Sequence, residues 1–173
     1  MNALVIATRL ATPADADGIA AAHLDSIRSI GARYYSPEII ADWIAPINGD
    51  RYKERMQGGE VFYISVGMVS GKLEVLGFAS HRIAQGQHRT AIYIRGIATR
   101  SGIGSTLFKL AEARAIAAGA TSIHVDSSLA AVGFYKANGF TSIGPGEYQL
   151  RSGRTMESVL MQKNLGRNST NPI

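Results

Sequence analysis

At 173 residues, 46% of them hydrophobic and 18% charged, the chain can bury one core unaided, and no apolar run approaches the roughly 18 residues of a membrane span. Lacking cysteine, it has no disulfide framework, no thiolate nucleophile and no cysteine-held metal. Its formal charge of +5 favours an anionic partner. The cations are scattered, at Arg28, Arg51, Lys53, Arg82, Arg95, Arg100, Arg151 and Arg154 among others, which suits an anionic small molecule and argues against a nucleic-acid surface.

Residues 3–9, ALVIATR, read as a first strand; Met1 to Leu10 carries no basic leader and no small-residue cleavage site, so a cytoplasmic location is expected. Thr12, Pro13 and Asp15 supply a cap, an N1 proline and an acidic first turn for a helix reaching Ile30. Ser36-Pro37-Glu38 starts a second helix to Ile44, whose Ile39, Ile40, Trp43 and Ile44 share one face. GDRYKERMQGG, residues 49–59, is a short helical or irregular link. VFYISVGMV and LEVLGFASH flank Ser70-Gly71 as an antiparallel hairpin, and AIYIRGIA at 91–98 continues the sheet.

A helix follows with Ile103, Leu107, Leu110 and Ala111 on one face and Gly119 as its stop. TSIHVDS is a strand, SLAAVGFYKAN a helix ended by Gly139, and MESVLMQKNL a closing strand. The tail, 166–173, is polar and expected to be flexible, leaving one mixed α/β domain over 1–165.

Gly102 and Gly104 stand at the start of the helical stretch, where unpaired amides and the positive dipole end favour an anion. They fit neither common phosphate loop. Ser105-Thr106 follows without the P-loop lysine, and Leu107 stands where a dinucleotide fingerprint has its third glycine. Further on, Phe134 and Tyr135 are adjacent on a helix, so they point about 100° apart; burying Phe134 leaves Tyr135 facing a cleft.

Together these segments resemble the GCN5-related N-acetyltransferase (GNAT) family. IYI at 92–94 is similar to the family's fourth-strand core, TRSGIGSTLF to its Q/R-x-x-G-x-G/A pyrophosphate loop and helix, AAVGFYKANGF to its A-x-x-F-Y-x-x-x-G-F element, and RLATPADADGIAAAH to its opening strand and helix. The resemblance runs from Thr8 to Leu165 and implies a single domain with a mostly antiparallel, twisted sheet of 6–7 strands, splayed at the fourth and flanked by about four helices. Three positions depart from the pattern: Thr99 replaces the loop's Gln or Arg, with Arg100 one residue later; Ser128 stands where an asparagine is common; and Ala91 where some members carry a glutamate base.

The resemblance implies acetyl-CoA as donor and direct attack by an amine in a ternary complex, with no covalent enzyme intermediate. Ile92, Ile94, Thr99, Arg100, Ser101, Gly102, Ile103, Gly104, Ser105, Ser128 and Tyr135 are the expected cofactor contacts. The edge of strand 92–97 would pair with the pantetheine arm, a backbone amide near Ile94 would serve as oxyanion donor, and Tyr135 would be the general acid. For the base, His81, His88, His124 and Asp126 stay open. Tyr34, Tyr35, Trp43 and His81 are expected around the acceptor, a small-molecule or peptide amine. No metal, membrane or nucleic-acid partner is implied, and a homodimer is compatible. The competing reading is a non-catalytic acyl-CoA sensor or interaction domain, which needs the glycine loop but neither Tyr135 nor a base.

Overall fold

A computed structural model describes residues 4–166; residues 1–3 and the expected flexible tail from 167 onward lie outside the described residues. The strands are β1 (Leu4–Leu10), β2 (Val61–Val69), β3 (Lys72–Ala84), β4 (Gln87–Ile94), β5 (Ser122–Ser128), β6 (Thr141–Gln149) and β7 (Thr155–Asn164). The helices are α1 (Ala16–Ser29), α2 (Pro37–Ile44), α3 (Gly49–Gln57), α4 (Ile103–Ala117) and α5 (Val132–Ala137). One seven-stranded sheet runs β1-β2-β3-β4-β5-β7-β6, antiparallel throughout except between β4 and β5.

Local chemistry sets most boundaries. Ser36 Oγ accepts the Ile39 N–H and Pro37 occupies the first turn of α2, while Asn48 Oδ1 accepts the Arg51 N–H at 3.0 Å to start α3. The expected link at 49–59 is therefore mostly helix, and the described residues hold five α-helices, in keeping with the about four expected. Asp15 accepts the Thr12 amide and two bonds from Arg9 at 2.8 Å each, which hold its carboxyl down to about 2. Ser70-Gly71 makes the expected turn with φ of 49° and 80°. Gln85-Gly86, with φ of 52° and 73°, makes a second one, so β4 starts at Gln87 rather than 91. It stops at Ile94, where a 3-10 turn over Gly96–Ala98 leads toward α4.

β6 is absent from the sequence reading. Its segment TSIGPGEYQ carries Pro145 between two glycines and shows no apolar alternation; the sheet tolerates it because β6 is an edge strand.

Hydrophobic packing covers both faces of the sheet. On one, Leu107, Phe108, Ala111 and Ala115 of α4 pack with Leu76, Ile92, Ile123, Val125 and Met161. On the other, Ile19 and Ala20 of α1 and Tyr52 of α3 pack with Phe62, Ile64 and Phe78, with aromatic centroids 5.5–5.9 Å apart. Covering both faces explains why β3 is buried continuously from Val75 to His81.

Candidate active site

β3 and β4 stay in register up to Gly77 opposite Ile94, whereas β4 and β5 meet only at Arg89 opposite His124. Beyond that point the parallel strands part, opening the sheet at the fourth strand as expected. The Arg95 amide donates to Leu76 O, so by strand alternation the amides of Ala91 and Tyr93 turn toward β3 and those of Ile92 and Ile94 toward the opening. Two cavities of about 860 Å³ each lie at this opening and share Trp43, Tyr93 and Ser128.

The first cavity is walled by Ile92 and Ile94, by Thr99, Arg100, Gly102, Gly104 and Ser105 before and within α4, and by Phe134. Gly102 caps α4 at φ 82° with no side-chain hydrogen bond, and Arg100 is also left-handed at φ 58°. The first helical amides therefore have neither a capping side chain nor an acidic residue nearby. A Cβ on Gly102 would meet nothing within 4 Å, so this backbone faces open space; a Cβ on Gly104 would lie 2.9 Å from the Phe134 ring. Thus Gly102 supplies a conformation and Gly104 a close contact. The uncapped amides and the Arg100 guanidinium form a cradle suited to an anion.

The second cavity lies between α1, α2 and α3 and the sheet, with the β6–β7 hairpin as its far wall. The Ser152 hydroxyl donates to Asp42 of α2, pinning the hairpin end over it. Four buried side-chain atoms have no hydrogen-bond partner among the described residues: His23 Nε2, Ser80 Oγ, Asp126 Oδ1 and Ser158 Oγ. All four residues line this one cavity. Unpaired buried polar groups cost about 1–3 kcal/mol each, so their convergence marks a place built for a polar guest. His23 Nδ1 is held by Tyr52 Oη at 2.6 Å, and burial, with Arg55 and Arg51 nearby, pushes the imidazole down to about 3.

Not every expected site residue lies at the cavities. Ser128 and Trp43 border both, and Tyr34 borders the first. Ser101 lies outside them, its hydroxyl donating to Ala98 O at 2.6 Å, and the Ile103 side chain is buried in the core, 5% exposed, leaving only its amide to the cradle. Tyr35 also lies outside: its hydroxyl donates to Glu157 O at 2.7 Å and accepts the Leu129 N–H at 2.8 Å, a bridge that ties chain segments together.

Expected as an acceptor contact, His81 sits on the opposite face of the sheet, hydrogen-bonded through Nε2 to His88 Nδ1 at 2.9 Å. Alternation along β3 sends Ser80 and Arg82 to the cavity and His81 away from it. The Phe134–Tyr135 orientation is reversed. Tyr135 is 3% exposed, packed edge-on against Phe140, while half-buried Phe134 covers Gly104 at the cavity wall. Tyr135 lines neither cavity; burial pushes its phenol up, opposed by a hydrogen bond from the Ile92 amide.

The sequence reading missed His23, Ser80, Arg82, Arg89 and Ser158 as cavity residues. The signal for the strand residues was the period-two pattern of β3, β4 and β7, masked because β3 is apolar on both faces. For His23 no local signal exists, since its position on an amphipathic helix is an ordinary core position.

The family described as "Acetyltransferase (GNAT) domain" matches residues 32–163. A crystal structure of a GCN5-related N-acetyltransferase from Rhodopseudomonas palustris superposes with a TM-score of 0.79 at 25% identity, covering 95% of this chain and 99% of that one. PaiA N-acetyltransferase from Thermoplasma acidophilum, in complex with coenzyme A, matches with a TM-score of 0.70 at 20% identity over 92% and 98% of the two chains. A phosphinothricin acetyltransferase from Sinorhizobium meliloti, in complex with acetyl-CoA, matches with a TM-score of 0.65 at 20% identity over 99% and 93%. No curated protein matches the sequence significantly. With the splayed sheet, the glycine-capped α4 and a family match over most of its length, this chain belongs to the GNAT acetyltransferase family.

Proposed function

We propose that this protein is an acetyl-CoA-dependent N-acetyltransferase acting on a primary amine by direct transfer. The observation that carries the reading is the uncapped N-terminus of α4, opened by Gly102 at φ 82° onto a cavity that meets a second one at the parted strands. The residues fit the donor: amides from Ile103 to Ser105 and the Arg100 side chain would hold its pyrophosphate, and the carbonyls of Ile92 and Ile94 on the β4 edge would accept from the amides of its pantetheine arm. Two structural neighbours, crystallised with coenzyme A or acetyl-CoA, lend support.

When bound, acetyl-CoA supplies an acyl group activated as a thioester. The Ile94 N–H, turned to the opening, would donate to the acyl oxygen as negative charge develops there. Asp126, with a buried and unpaired Oδ1 on the acceptor side, would take the proton of the incoming ammonium, directly or through water. The nitrogen–carbon bond then forms, the Tyr135 hydroxyl, kept protonated by burial, would give its proton to the sulfur as the carbon–sulfur bond breaks, and the second proton lost by the nitrogen would restore the phenol. Asp126 is favoured over His81, His88 and His124 because, of the four, it alone lines the acceptor cavity.

A thermal-shift measurement with acetyl-CoA, followed by free-thiol release across a panel of amines, tests this reading. Stabilisation by acetyl-CoA with amine-dependent thiol release is expected. Stabilisation without turnover by any amine would favour the sensor reading, and no stabilisation would overturn both.

A further inference from the structure

We infer that the acceptor is a small amine carrying its own anionic group, a carboxylate or a phosphorus oxyanion, held by Arg82 and Arg89 while its amine is presented at Asp126. The inference rests on the acetyltransferase reading and names the substrate class of that site.

Arg82 and Arg89 face each other directly across β3 and β4, and both line the acceptor cavity. Like charges directly opposite in an antiparallel pair are destabilising. Neither has a carboxylate within ion-pair distance among the described residues; Arg89 makes only a 3.4 Å contact to Gln87. The one cavity arginine that is neutralised, Arg55, is bound by Glu60 through two 2.7 Å bonds and so is not available. Arg51 and Arg151 add two further cavity arginines without a carboxylate partner, from α3 and from the hairpin end. The cavity also holds the carboxylates of Asp42, Glu54, Glu60 and Asp126, but among the described residues none pairs with Arg82 or Arg89, so this row attracts an anion, and guanidinium forks match a carboxylate or phosphorus oxyanion in two-point contact.

Register gives the separation. On the cavity face the paired Arg82 and Arg89 occupy one row of the sheet, and Ser80 and Ala91 the next row along, toward the parting of the strands. Asp126 follows His124, the partner of Arg89, by the same two-residue step. Two residues along a strand span about 7 Å, so an anion at the arginine row leaves room for an amine at the Asp126 row. Ser80 and Ser158, 1% and 2% exposed, have unpartnered hydroxyls at the same cavity and can hydrogen-bond the guest between these ends.

The test is a free-thiol assay at fixed acetyl-CoA with amine pairs that differ only in charge: glutamate with glutamine, and glycine with glycinamide. Aminomethylphosphonate probes the phosphorus oxyanion, and putrescine and spermidine serve as cationic amines. An anionic member preferred by at least about tenfold in kcat/KM is expected. The R82Q/R89Q double variant should raise its KM by at least about tenfold while leaving acetyl-CoA affinity unchanged and thermal stability undiminished. Equal or better use of the neutral or cationic amines, failure to acetylate any anionic amine, or an unaltered KM in the double variant would overturn the inference while acetyl-CoA binding keeps the parent reading intact. No binding of acetyl-CoA would remove the parent reading, and this inference with it.

Discussion

Acid should destabilise this protein through one histidine. His23 on α1 is 8% exposed, its ring centroid 3.8 Å from that of Tyr93 and its Nδ1 bonded to Tyr52. Burial, and then the charges of Arg55 and Arg51, hold it down to about 3 from an ordinary 6.5. The folded protein therefore binds fewer protons than the unfolded chain between these values, and stability falls as pH drops through 6.5 toward 3. At about pH 5 the loss from this group is about 2 kcal/mol relative to about pH 7.5. For a chain of this size that corresponds to about 4–8 °C in Tm. His23→Gln keeps an amide to bond Tyr52 and removes the titration. His81, also lowered by burial, contributes with the same sign in both proteins and cancels in the comparison. Asp15, held at about 2, loses its contribution only as pH falls below 3.8, and it is present in both proteins and cancels likewise. Urea unfolding of the two proteins across this range measures the difference; parallel stability-versus-pH curves would refute the reasoning.

Three further outcomes follow from the site. Gly102→Ala forces a side chain into φ 82° without a clash, so it should cost about 1–2 kcal/mol and weaken acetyl-CoA binding by re-aiming the α4 amides; calorimetry and a binding titration check both, and an unchanged Tm would count against the strain argument. Tyr135→Phe should lower kcat by about 10²–10⁴ with acetyl-CoA affinity nearly unchanged, and full turnover would remove the phenol from the reaction. Asp126→Asn should lower kcat/KM by about a hundredfold at unchanged Tm, because Oδ1 has no bond to lose; an unaltered rate eliminates it as the base.

Much of the fold was legible because its signals are local. Ser36-Pro37 acts within one helical turn, and Ser70-Gly71 makes the hairpin of β2 and β3 through its own backbone angles. The GNAT resemblance likewise rested on a contiguous glycine loop and a contiguous aromatic helix, and the fold class, a sheet of 6–7 strands and the family followed from them. β6 escaped because an edge strand needs hydrogen-bonding neighbours more than a hydrophobic pattern, and TSIGPGEYQ has the first without the second.

Side-chain direction was not legible. A 100° step between Phe134 and Tyr135 says that they diverge, not which of them meets the core; Tyr135 does, because Phe140 packs against it and Gly104 has no side chain to keep Phe134 off the loop. His81 and Arg82 are neighbours in sequence and opposites in the sheet, and the register with β4 decides which one reaches the cavity.

By itself the sequence determined the order of most elements, the glycine turn at Gly102 and the kind of ligand such a turn can hold, since each depends on residues within a few positions of one another. Only the tertiary structure decided the acceptor side, where Ser80, Arg82, Arg89, Asp126 and Ser158 come from four strands and His23 from a helix. Strand parting after Arg89 and His124 brings them around one space, and that parting is a property of how distant segments pair, with no trace in any single stretch of chain.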